Sequence, residues 1–307
     1  MKVLVTGANG QLGSDVVEEL SKKNYEVIAT DIQDSSVNNC KYAKLDITNE
    51  TMVDGAISKF SPDAVIHCAA WTAVDSAEED DNKEKVYNIN SLGTKYIANA
   101  CKKHDCKLMY ISTDYIFDGS GTEPWMEDCK NYNPINHYGK TKLDGELAIV
   151  DKVDKYFIVR IAWVFGLNGN NFIKTMLKLG KTKNALSIVC DQVGTPTYTL
   201  DLARLLVDMI STDKYGYYHV TNDGEYISWY DFAVEIFKYA SELGYTDYNA
   251  ENLCVKAVTT EEYGLSKAKR PKNSRLNRSK IKENEFTPLP NWKDAMKTYI
   301  DVIITTI

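Results

Sequence analysis

A hydroxyl, a phenol and an amine follow one another in an order that suits the reduction of a carbonyl group. Thr113 comes directly after Ser112, and Tyr138 precedes Lys142 by four residues. Residues four apart project from the same face of a helix. A cation beside a phenol lowers its pKa from the usual value of about 10. The spacing therefore predicts that Tyr138 donates a proton near neutral pH with the help of Lys142.

A glycine loop near the N-terminus gives this spacing a context. Gly7, Gly10 and Gly13 follow a predicted strand and open a predicted helix. Glycine allows the tight turn and the close approach of a pyrophosphate, and the helix N-terminus offers N–H donors to phosphate oxygens. The loop therefore predicts a dinucleotide site, with a plain strand–helix turn as the alternative.

Acidic and small residues that follow the next strands extend this site. Asp31 ends the second predicted strand, where a carboxylate can accept from ribose hydroxyls and would repel a 2′-phosphate, so it favours NADH over NADPH. A turn or cap is the alternative role of Asp31. Asp46 and Ile47 follow the third strand, within reach of an adenine, and Ala69 and Ala70 leave room for a cofactor after the fourth.

Alternating strands and helices must position these groups. We predict strands at 3–5, 27–30, 44–46, 64–68, 108–111, 157–161 and 217–220, with helices that include 50–60, 83–104 and 138–150. This order indicates an α/β fold with a doubly wound parallel (Rossmann) sheet. The regular alternation of strands and helices ends after Gly166. This change predicts a smaller α/β substrate lobe built from discontinuous C-terminal segments. We assign 1–166 and 198–222 to the dinucleotide-binding domain and 167–197 and 223–307 to the lobe.

Composition narrows the function. The net charge of −7 over 307 residues argues against nonspecific nucleic-acid binding. Seven cysteines without a C-x-x-C pair and four scattered histidines provide no zinc-ligand spacing and fit reduced thiols. The N-terminal apolar run is too short for a signal peptide, and no run of about 18 apolar residues suggests a membrane span. We therefore expect a cytoplasmic protein without a membrane partner.

The motifs as a set resemble a known family. TGANGQLG, CAAWTAVDSAE, STDYIFDG, YGKTKLDGE, IAWVFG and RPKNSRLN occur in this order over nearly the whole chain. The set is similar to the extended short-chain dehydrogenase/reductase family and, within it, to the dTDP-4-dehydrorhamnose reductases. That resemblance implies NAD(P)H-dependent reduction of the C4 keto group of dTDP-4-dehydro-L-rhamnose to dTDP-L-rhamnose.

The resemblance also implies residue roles. Tyr138 protonates the C4 oxygen, Lys142 holds the nicotinamide ribose and Thr113 polarises the carbonyl group. Asn90, Asp114 and Tyr115 shape the cofactor side of the cleft. The implied cofactor-binding residues are Gly7, Asn9, Gly10, Gln11, Leu12, Gly13, Asp31, Asp46, Ile47, Ala69, Ala70, Thr72, Asn90, Tyr138 and Lys142. The implied substrate-binding residues are Val74, Asp114, Tyr115, Trp163, Asn171, Arg270, Asn273 and Arg275.

Several alternatives stay open at this point. Thr113 could cap a turn, Trp163 could belong to the core, and the basic loop 270–275 could be solvated. The chain could act on another nucleotide sugar, or be a non-catalytic NADP-binding regulatory subunit like that of methionine adenosyltransferase. Some family members bridge subunits through Mg²⁺, and Asp15 could match one ligand, but Leu200 stands where we would align another. We therefore predict no metal site, and a monomer or homodimer.

Overall fold

The computed structural model describes residues 1–35 and 40–306. Its strands are β1 (Lys2–Thr6), β2 (Glu26–Asp31), β3 (Lys41–Lys44), β4 (Ala64–His67), β5 (Lys107–Thr113), β6 (Tyr156–Ile161), β7 (Val164–Phe165), β8 (Ala185–Val189), β9 (Val193–Gly194), β10 (Thr197–Tyr198), β11 (Gly216–His219), β12 (Ile227–Ser228) and β13 (Cys254–Val258). Its α-helices are α1 (Gln11–Lys22), α2 (Glu50–Phe60), α3 (Asp80–Tyr87), α4 (Thr94–Lys103), α5 (His137–Lys152), α6 (Phe172–Gly180), α7 (Thr199–Ile210), α8 (Trp229–Glu242), α9 (Thr260–Tyr263), α10 (Ser279–Glu283) and α11 (Trp292–Ile303).

One parallel sheet organises the larger part of the described chain. Its strand order is β11-β6-β5-β4-β1-β2-β3, and all neighbouring pairs run parallel. The chain runs outward from β1 to β3 and then returns to β4 on the other side of β1. Ligands bind in the crevice at such a switch point, outside the carboxyl ends of the strands. The predicted doubly wound α/β sheet is confirmed.

Both faces of the sheet are covered, which explains why its central strands are apolar throughout. Val3 and Val5 of β1 face a cluster that α1 and α7 complete. Leu4, the residue between them, faces a second cluster with side chains from α2, α4 and α5. All three β1 residues are fully buried. The helices are therefore held firmly against the strands whose ends carry the site.

A third apolar cluster forms the smaller lobe. It gathers side chains of α6, α8 and α11 around Phe165, Phe232 and Trp292, and β8 pairs in parallel with β13 beside it. Helix α7 instead packs on α1, in keeping with the segment 198–222 that we assign to the dinucleotide-binding domain. Ile281, Phe286 and Leu289 also join that cluster, although they lie in a segment assigned to the lobe. The domain ranges stay a proposal.

Three of the differences from the sequence expectations concern β3, the expected helix 83–104 and β13. Strand β3 covers Lys41–Lys44, so Asp46 lies after it. The expected helix 83–104 consists of α3, a π-helical turn at Asn88–Gly93 and α4. Strand β13 was not expected at all. β3 and β13 are only partly buried and lack the apolar run that marks the central strands. No helix in the described parts of the chain is long and apolar enough to cross a bilayer.

Candidate active site

The glycine loop joins β1 to α1 at the switch point. Gly7 has a φ of 65°, and a Cβ there would lie 2.6 Å from the Ala69 nitrogen. A Cβ at Gly13 would overlap the carbonyl oxygen of Gly7. Both positions therefore require glycine. The N-cap of α1 is Gly10, which has no side chain to occupy the first-turn N–H groups. These groups can therefore bind phosphate oxygens.

A cavity of about 500 Å³ opens beside the loop at the ends of β1, β2 and β4. Its lining includes eight of the predicted cofactor-binding residues: Gly7, Asn9, Gly10, Asp31, Asp46, Ile47, Ala69 and Ala70. Asp31 Oδ2 also accepts the backbone N–H of Asn9 at 3.1 Å. The carboxylate thus braces the glycine loop while facing the cavity, so its two predicted roles are compatible. The N–H groups of the glycine loop, the carboxylates that line the cavity and the small side chains of Ala69 and Ala70 fit the adenosine half of a dinucleotide.

A second cavity of about 410 Å³ shares Gly7, Gly10, Cys68 and Ala70 with the first, so the two lie side by side at the sheet edge. It brings together eleven further predicted residues: Gln11, Leu12, Gly13, Thr72, Val74, Thr113, Asp114, Tyr115, Tyr138, Lys142 and Trp163. The three predicted catalytic side chains therefore lie in one space that opens onto the glycine loop.

Two elements deliver these side chains. Strand β5 ends at Thr113, and α5 starts beside that end. The α5 N-cap is Asn136, whose Oδ1 accepts the Gly139 N–H at 2.7 Å. Tyr138 then lies in the first turn of α5 and Lys142 one turn later. The Lys142 ammonium donates to the carbonyl oxygen of Ile111 in β5 at 2.7 Å and lies 4.1 Å from the ring centroid of Tyr110.

The electrostatics of Tyr138 differ from the sequence expectation. Burial raises the pKa of the phenol well above its ordinary value, the Thr113 hydroxyl lowers it in part, and the Asp114 carboxylate raises it further. Burial lowers the pKa of Lys142 to about 7, partly offset by the charge of Glu146. The predicted lowering of the Tyr138 pKa by Lys142 is wrong here, because the amine bonds Ile111 instead of the phenol. Tyr138 consequently stays protonated at neutral pH, which is the state a proton donor needs.

Besides lining the cavity, the Thr113 hydroxyl makes two hydrogen bonds to neighbouring residues. Its hydroxyl accepts the N–H of Tyr115 at 3.2 Å, which caps the 3-10 turn Asp114–Ile116. The same hydroxyl donates to Asp114 Oδ1 at 3.1 Å. Asp114 Oδ2 is buried and finds no hydrogen-bond partner among the residues that the structure describes. Burial raises the pKa of Asp114 to about 7.

A buried network lies beneath these groups. Arg160 of β6 binds Glu146 of α5 through two contacts, Nη2–Oε2 at 2.8 Å and Nε–Oε1 at 3.0 Å. The Ser112 hydroxyl donates to Oε1 of the same carboxylate. Arg160 Nη2 also donates to the Tyr132 hydroxyl at 3.1 Å. The network joins β5, α5 and β6 directly below Thr113 and Lys142.

Two stacked indoles close the far side of the cavity. Trp163 and Trp229 have ring centroids 3.7 Å apart and an interplanar angle of 15°. Trp163 has a φ of 52°, a left-handed conformation that a bulky side chain rarely adopts. A Cβ at Gly194 would lie 3.0 Å from the Trp163 ring. This strained placement is the kind that persists where the surrounding structure fixes it, commonly at functional sites.

A third cavity of about 400 Å³ lies behind Trp229, which lines both. Phe172, Asp75, Tyr263 and Arg270 are among its lining residues. The guanidinium of Arg270 makes two contacts with the Asp75 carboxylate, Nη2–Oδ2 at 2.6 Å and Nη1–Oδ1 at 3.1 Å. A cation, a carboxylate and aromatic faces thus line the space between the two domains of our proposed division.

Comparisons with a family model and with individual proteins give one consistent result. The chain matches the family model described as the RmlD substrate binding domain over residues 1–304. A dTDP-4-dehydrorhamnose reductase of Aggregatibacter actinomycetemcomitans is 38% identical, covering 96% of this chain and 97% of that protein. The chain belongs to the dTDP-4-dehydrorhamnose reductase family.

Solved structures of the dTDP-4-dehydrorhamnose reductase family share the fold. A dTDP-4-dehydrorhamnose reductase of Clostridium acetobutylicum is 44% identical with a TM-score of 0.88, covering 99% of this chain and all of that one. One from Bacillus anthracis, solved in complex with NADP, is 39% identical with a TM-score of 0.86, covering 98% and 99%. The predicted family and the NAD(P)H cofactor are confirmed.

Four residues that the family resemblance singled out do not line these three cavities. Asn90 accepts the N–H of Trp71 at 2.8 Å and donates to Thr141 at 3.2 Å, so it ties the loop after β4 to α5. Asn171 is the N-cap of α6 and donates to the carbonyl oxygen of Gly166 at 2.9 Å. Asn273 donates to two backbone carbonyl groups, and Arg275 donates to Asn273 Oδ1 at 3.0 Å. Their contacts here are structural, and the cofactor role of Asn90 and the substrate roles of the other three stay predictions.

Sequence reasoning missed three residues at the site. Trp229 opens α8, and nothing in its local sequence separates it from a core residue. Glu146 is fully buried, and the signal that could have found it is its position one turn after Lys142 on the same helix face. Arg160 interrupts an otherwise apolar strand, and an arginine at such a position needs a buried partner.

Asp15 lies in α1 and is the residue that could match a Mg²⁺ ligand of the family. Burial raises the pKa of Asp15, and its Oδ2 finds no partner in the part of the chain that the structure describes. No group of three or more His, Cys, Asp or Glu side chains among the described residues could hold an ion. The absence of a metal site stays a prediction.

Proposed function

We propose that this chain catalyses the NAD(P)H-dependent reduction of the C4 keto group of dTDP-4-dehydro-L-rhamnose, which yields dTDP-L-rhamnose. One observation supports this most strongly. Thr113, Tyr138 and Lys142 share a cavity that adjoins the cavity beside the glycine loop. A keto group in the second cavity would have the proton donor Tyr138 beside it and the glycine loop in the same wall. Membership of the dTDP-4-dehydrorhamnose reductase family supports the same reaction.

The chemistry can be assigned to residues. A nicotinamide dinucleotide held by the glycine loop and Lys142 would supply the hydride for C4. Tyr138, kept protonated by its burial, gives its phenolic proton to the C4 oxygen as negative charge develops there. Thr113 donates a hydrogen bond to the same oxygen, where a fixed donor stabilises the incipient alkoxide. Lys142, anchored on Ile111, holds the nicotinamide ribose.

The nucleotide end of the substrate belongs in the third cavity in this proposal. The indoles of Trp163 and Trp229 offer apolar surfaces against which the sugar of the substrate can pack. Arg270 can release Asp75 and present its fork to phosphate oxygens, which guanidinium groups bind in pairs. Local positive charge of this kind is needed because the chain carries a net charge of −7.

The cofactor preference follows from Asp31. Its carboxylate lines the adenosine cavity and would repel a 2′-phosphate there, so we propose that NADH is used at least as well as NADPH. We further propose a cytoplasmic protein that acts as a monomer or homodimer and does not bind nucleic acid. The net charge of −7 supports the absence of nucleic-acid binding, and seven cysteines without a C-x-x-C pair support a cytoplasmic location.

A substrate panel tests the reaction. The purified chain is supplied with dTDP-, GDP- and UDP-linked 4-keto sugars and with NADH or NADPH, and loss of reduced-cofactor absorbance is followed. We expect dTDP-4-dehydro-L-rhamnose to turn over fastest. The Tyr138→Phe variant should be slow with every sugar in the panel. Faster turnover of a UDP or GDP sugar would assign another nucleotide sugar. No turnover with any sugar, despite cofactor binding, would favour the regulatory-subunit alternative.

A further inference from the structure

The Thr113 hydroxyl has one proton to donate, and two acceptors require it: Asp114 in the structure and the substrate C4 oxygen in the proposed reaction. In the structure this hydroxyl donates to Asp114 Oδ1 at 3.1 Å while it accepts the Tyr115 N–H at 3.2 Å. A threonine hydroxyl has one donor and two acceptor positions. The proposed function, on which this inference rests, requires the same proton to point at the substrate C4 oxygen. Thr113 cannot donate to both an ionised Asp114 and the substrate.

The surroundings of Asp114 favour its neutral form. The residue is 2% exposed, and Oδ2 has no hydrogen-bond partner within the described ranges. No ion pair joins Asp114 to a lysine or arginine among those residues. Burial of a carboxylate without a cation is costly, so the group takes up a proton instead.

The neighbours of Asp114 do not reverse this preference. Burial raises its pKa to about 7, and the hydroxyl groups of Ser274 and Thr113 lower it only in part. Tyr115 and Tyr138 face it as neutral phenols, because burial raises the pKa of both. Lys142 lines the same cavity, and its amine is held by Ile111.

We infer that Asp114 acts as a positioning residue in its protonated form. Its carboxyl proton is donated to Thr113 Oγ1, and the Thr113 proton is thereby freed for the substrate carbonyl oxygen. The two lone pairs of Thr113 are then filled by Tyr115 N–H and Asp114, and its one proton serves the substrate. Asp114 keeps its proton through the reaction, since Tyr138 provides the one that ends on the product.

This arrangement makes turnover depend on pH in a defined direction. Asp114 is neutral below its pKa, so kcat should be highest there and fall as pH rises through neutrality. Lys142 titrates in the same range, because burial lowers its pKa to about 7. A pH profile of the unmodified chain therefore contains both groups, and a variant must separate them.

Asp114→Asn is that variant. The amide has the same shape, cannot ionise and carries a permanent N–H donor for Thr113. We expect kcat of the variant to change with pH less than kcat of the parent, with a loss between pH 6 and pH 9 that is at least about threefold smaller. A loss of about 100-fold at every pH would mean that the carboxylate itself is needed, and an unchanged profile would mean that Asp114 does not titrate. Either result overturns the inference.

Infrared titration of the cofactor-free chain provides a test that does not depend on activity or on the stability of one variant. A protonated buried carboxyl gives a C=O band that disappears on ionisation. We expect a band with a midpoint near neutral pH that is missing in Asp114→Asn and kept in Asp201→Asn, a matched change at a buried carboxyl outside these cavities. A band already lost well below neutral pH would overturn the inference.

Failure of the proposed function gives a different pattern. If the unmodified chain does not reduce any 4-keto sugar, the function is wrong, whatever the infrared titration shows. If it does turn over and Thr113→Val keeps full kcat, Thr113 is not a donor to the substrate, and the inference fails while the function stands.

Discussion

Glu146 and Arg160 form a fully buried ion pair between α5 and β6, with two contacts of 2.8 Å and 3.0 Å. Glu146 lies one turn beyond Lys142, and Ser112, which donates to Glu146, lies next to Thr113. A buried pair is weak evidence for stability, since desolvation opposes the attraction, but removal of one partner leaves a charge without compensation. The pair therefore holds the helix and strand that carry the catalytic groups in one register.

The first prediction concerns this pair. Glu146→Gln should lower the free energy of unfolding by roughly 3–5 kcal/mol, because Arg160 then stays buried without a counter-charge. Urea unfolding followed by circular dichroism measures the change. Asp54→Asn, which removes one partner of an exposed pair with Lys103 and His104, is the control and should change stability little. Equal effects of the two variants would contradict the special role of the buried pair.

Tyr138→Phe should reduce kcat by roughly 10²–10⁴-fold, the usual loss when a positioned general acid is removed. The phenol contributes no charge at neutral pH, because burial raises its pKa, so the fold and NADH affinity should stay nearly constant. Steady-state kinetics and NADH fluorescence titration on the same preparation separate these effects. A variant with normal kcat would remove Tyr138 from the mechanism.

Asp31→Asn should shift the cofactor preference toward NADPH. The change removes the negative charge that faces the adenosine cavity and keeps an oxygen that can accept the Asn9 N–H. We expect the ratio of kcat/KM for NADPH to that for NADH to rise by about tenfold, which corresponds to about 1.4 kcal/mol. The measurement is a pair of initial-rate series on both proteins. A parent chain that strongly prefers NADPH would show that the ribose interpretation of Asp31 is wrong.

Arg270→Ala should weaken dTDP binding by roughly 10–100-fold, since a charge-assisted hydrogen bond contributes about 1.5–3 kcal/mol. Asp75→Asn should keep or strengthen it, because Arg270 is then released from its carboxylate partner. Calorimetric titration with dTDP and with NADH tests both, and NADH affinity should not change. Arg204→Ala, an exposed arginine on α7, is the control.

Arg275→Ala extends that comparison. The guanidinium of Arg275 bonds the side chain of Asn273 and lies outside the three cavities, so we expect a smaller loss of dTDP affinity than for Arg270→Ala. A larger loss would restore Arg275 as the main phosphate ligand. Loss of both dTDP and NADH affinity would show that it stabilises the basic loop instead.

Local patterns predicted a set of cofactor-binding residues, eight of which the fold places around one cavity. The glycine spacing, the apolar strands and the residues that follow them are all short-range features. Gly7 and Gly13 were predictable because their backbone geometry excludes a side chain. Strand β3 was placed three residues too late because KYAK carries almost no apolar signal, and its position is fixed by pairing with β2.

Long-range contacts account for what the sequence did not predict. Arg160 and Glu146 lie on different elements, and only the folded sheet brings them together. The direction of the Tyr138 pKa shift depends on burial and on where Lys142 Nζ points, and neither follows from a spacing of four residues. Trp229 reaches the site from a helix of the smaller lobe, which no local motif connects to the glycine loop.

The shared Trp229 has a consequence for how ligands bind together. Its indole is a common wall of the catalytic cavity and of the third cavity, and it stacks on Trp163. A molecule that binds on one side and fixes the indole has already met the entropic cost of ordering it. A second molecule that binds on the other side then has a smaller cost to meet. Such coupling is reciprocal, so the factor by which dTDP tightens cofactor binding must equal the factor by which the cofactor tightens dTDP binding. One aromatic wall thereby makes the two sites a single thermodynamic unit.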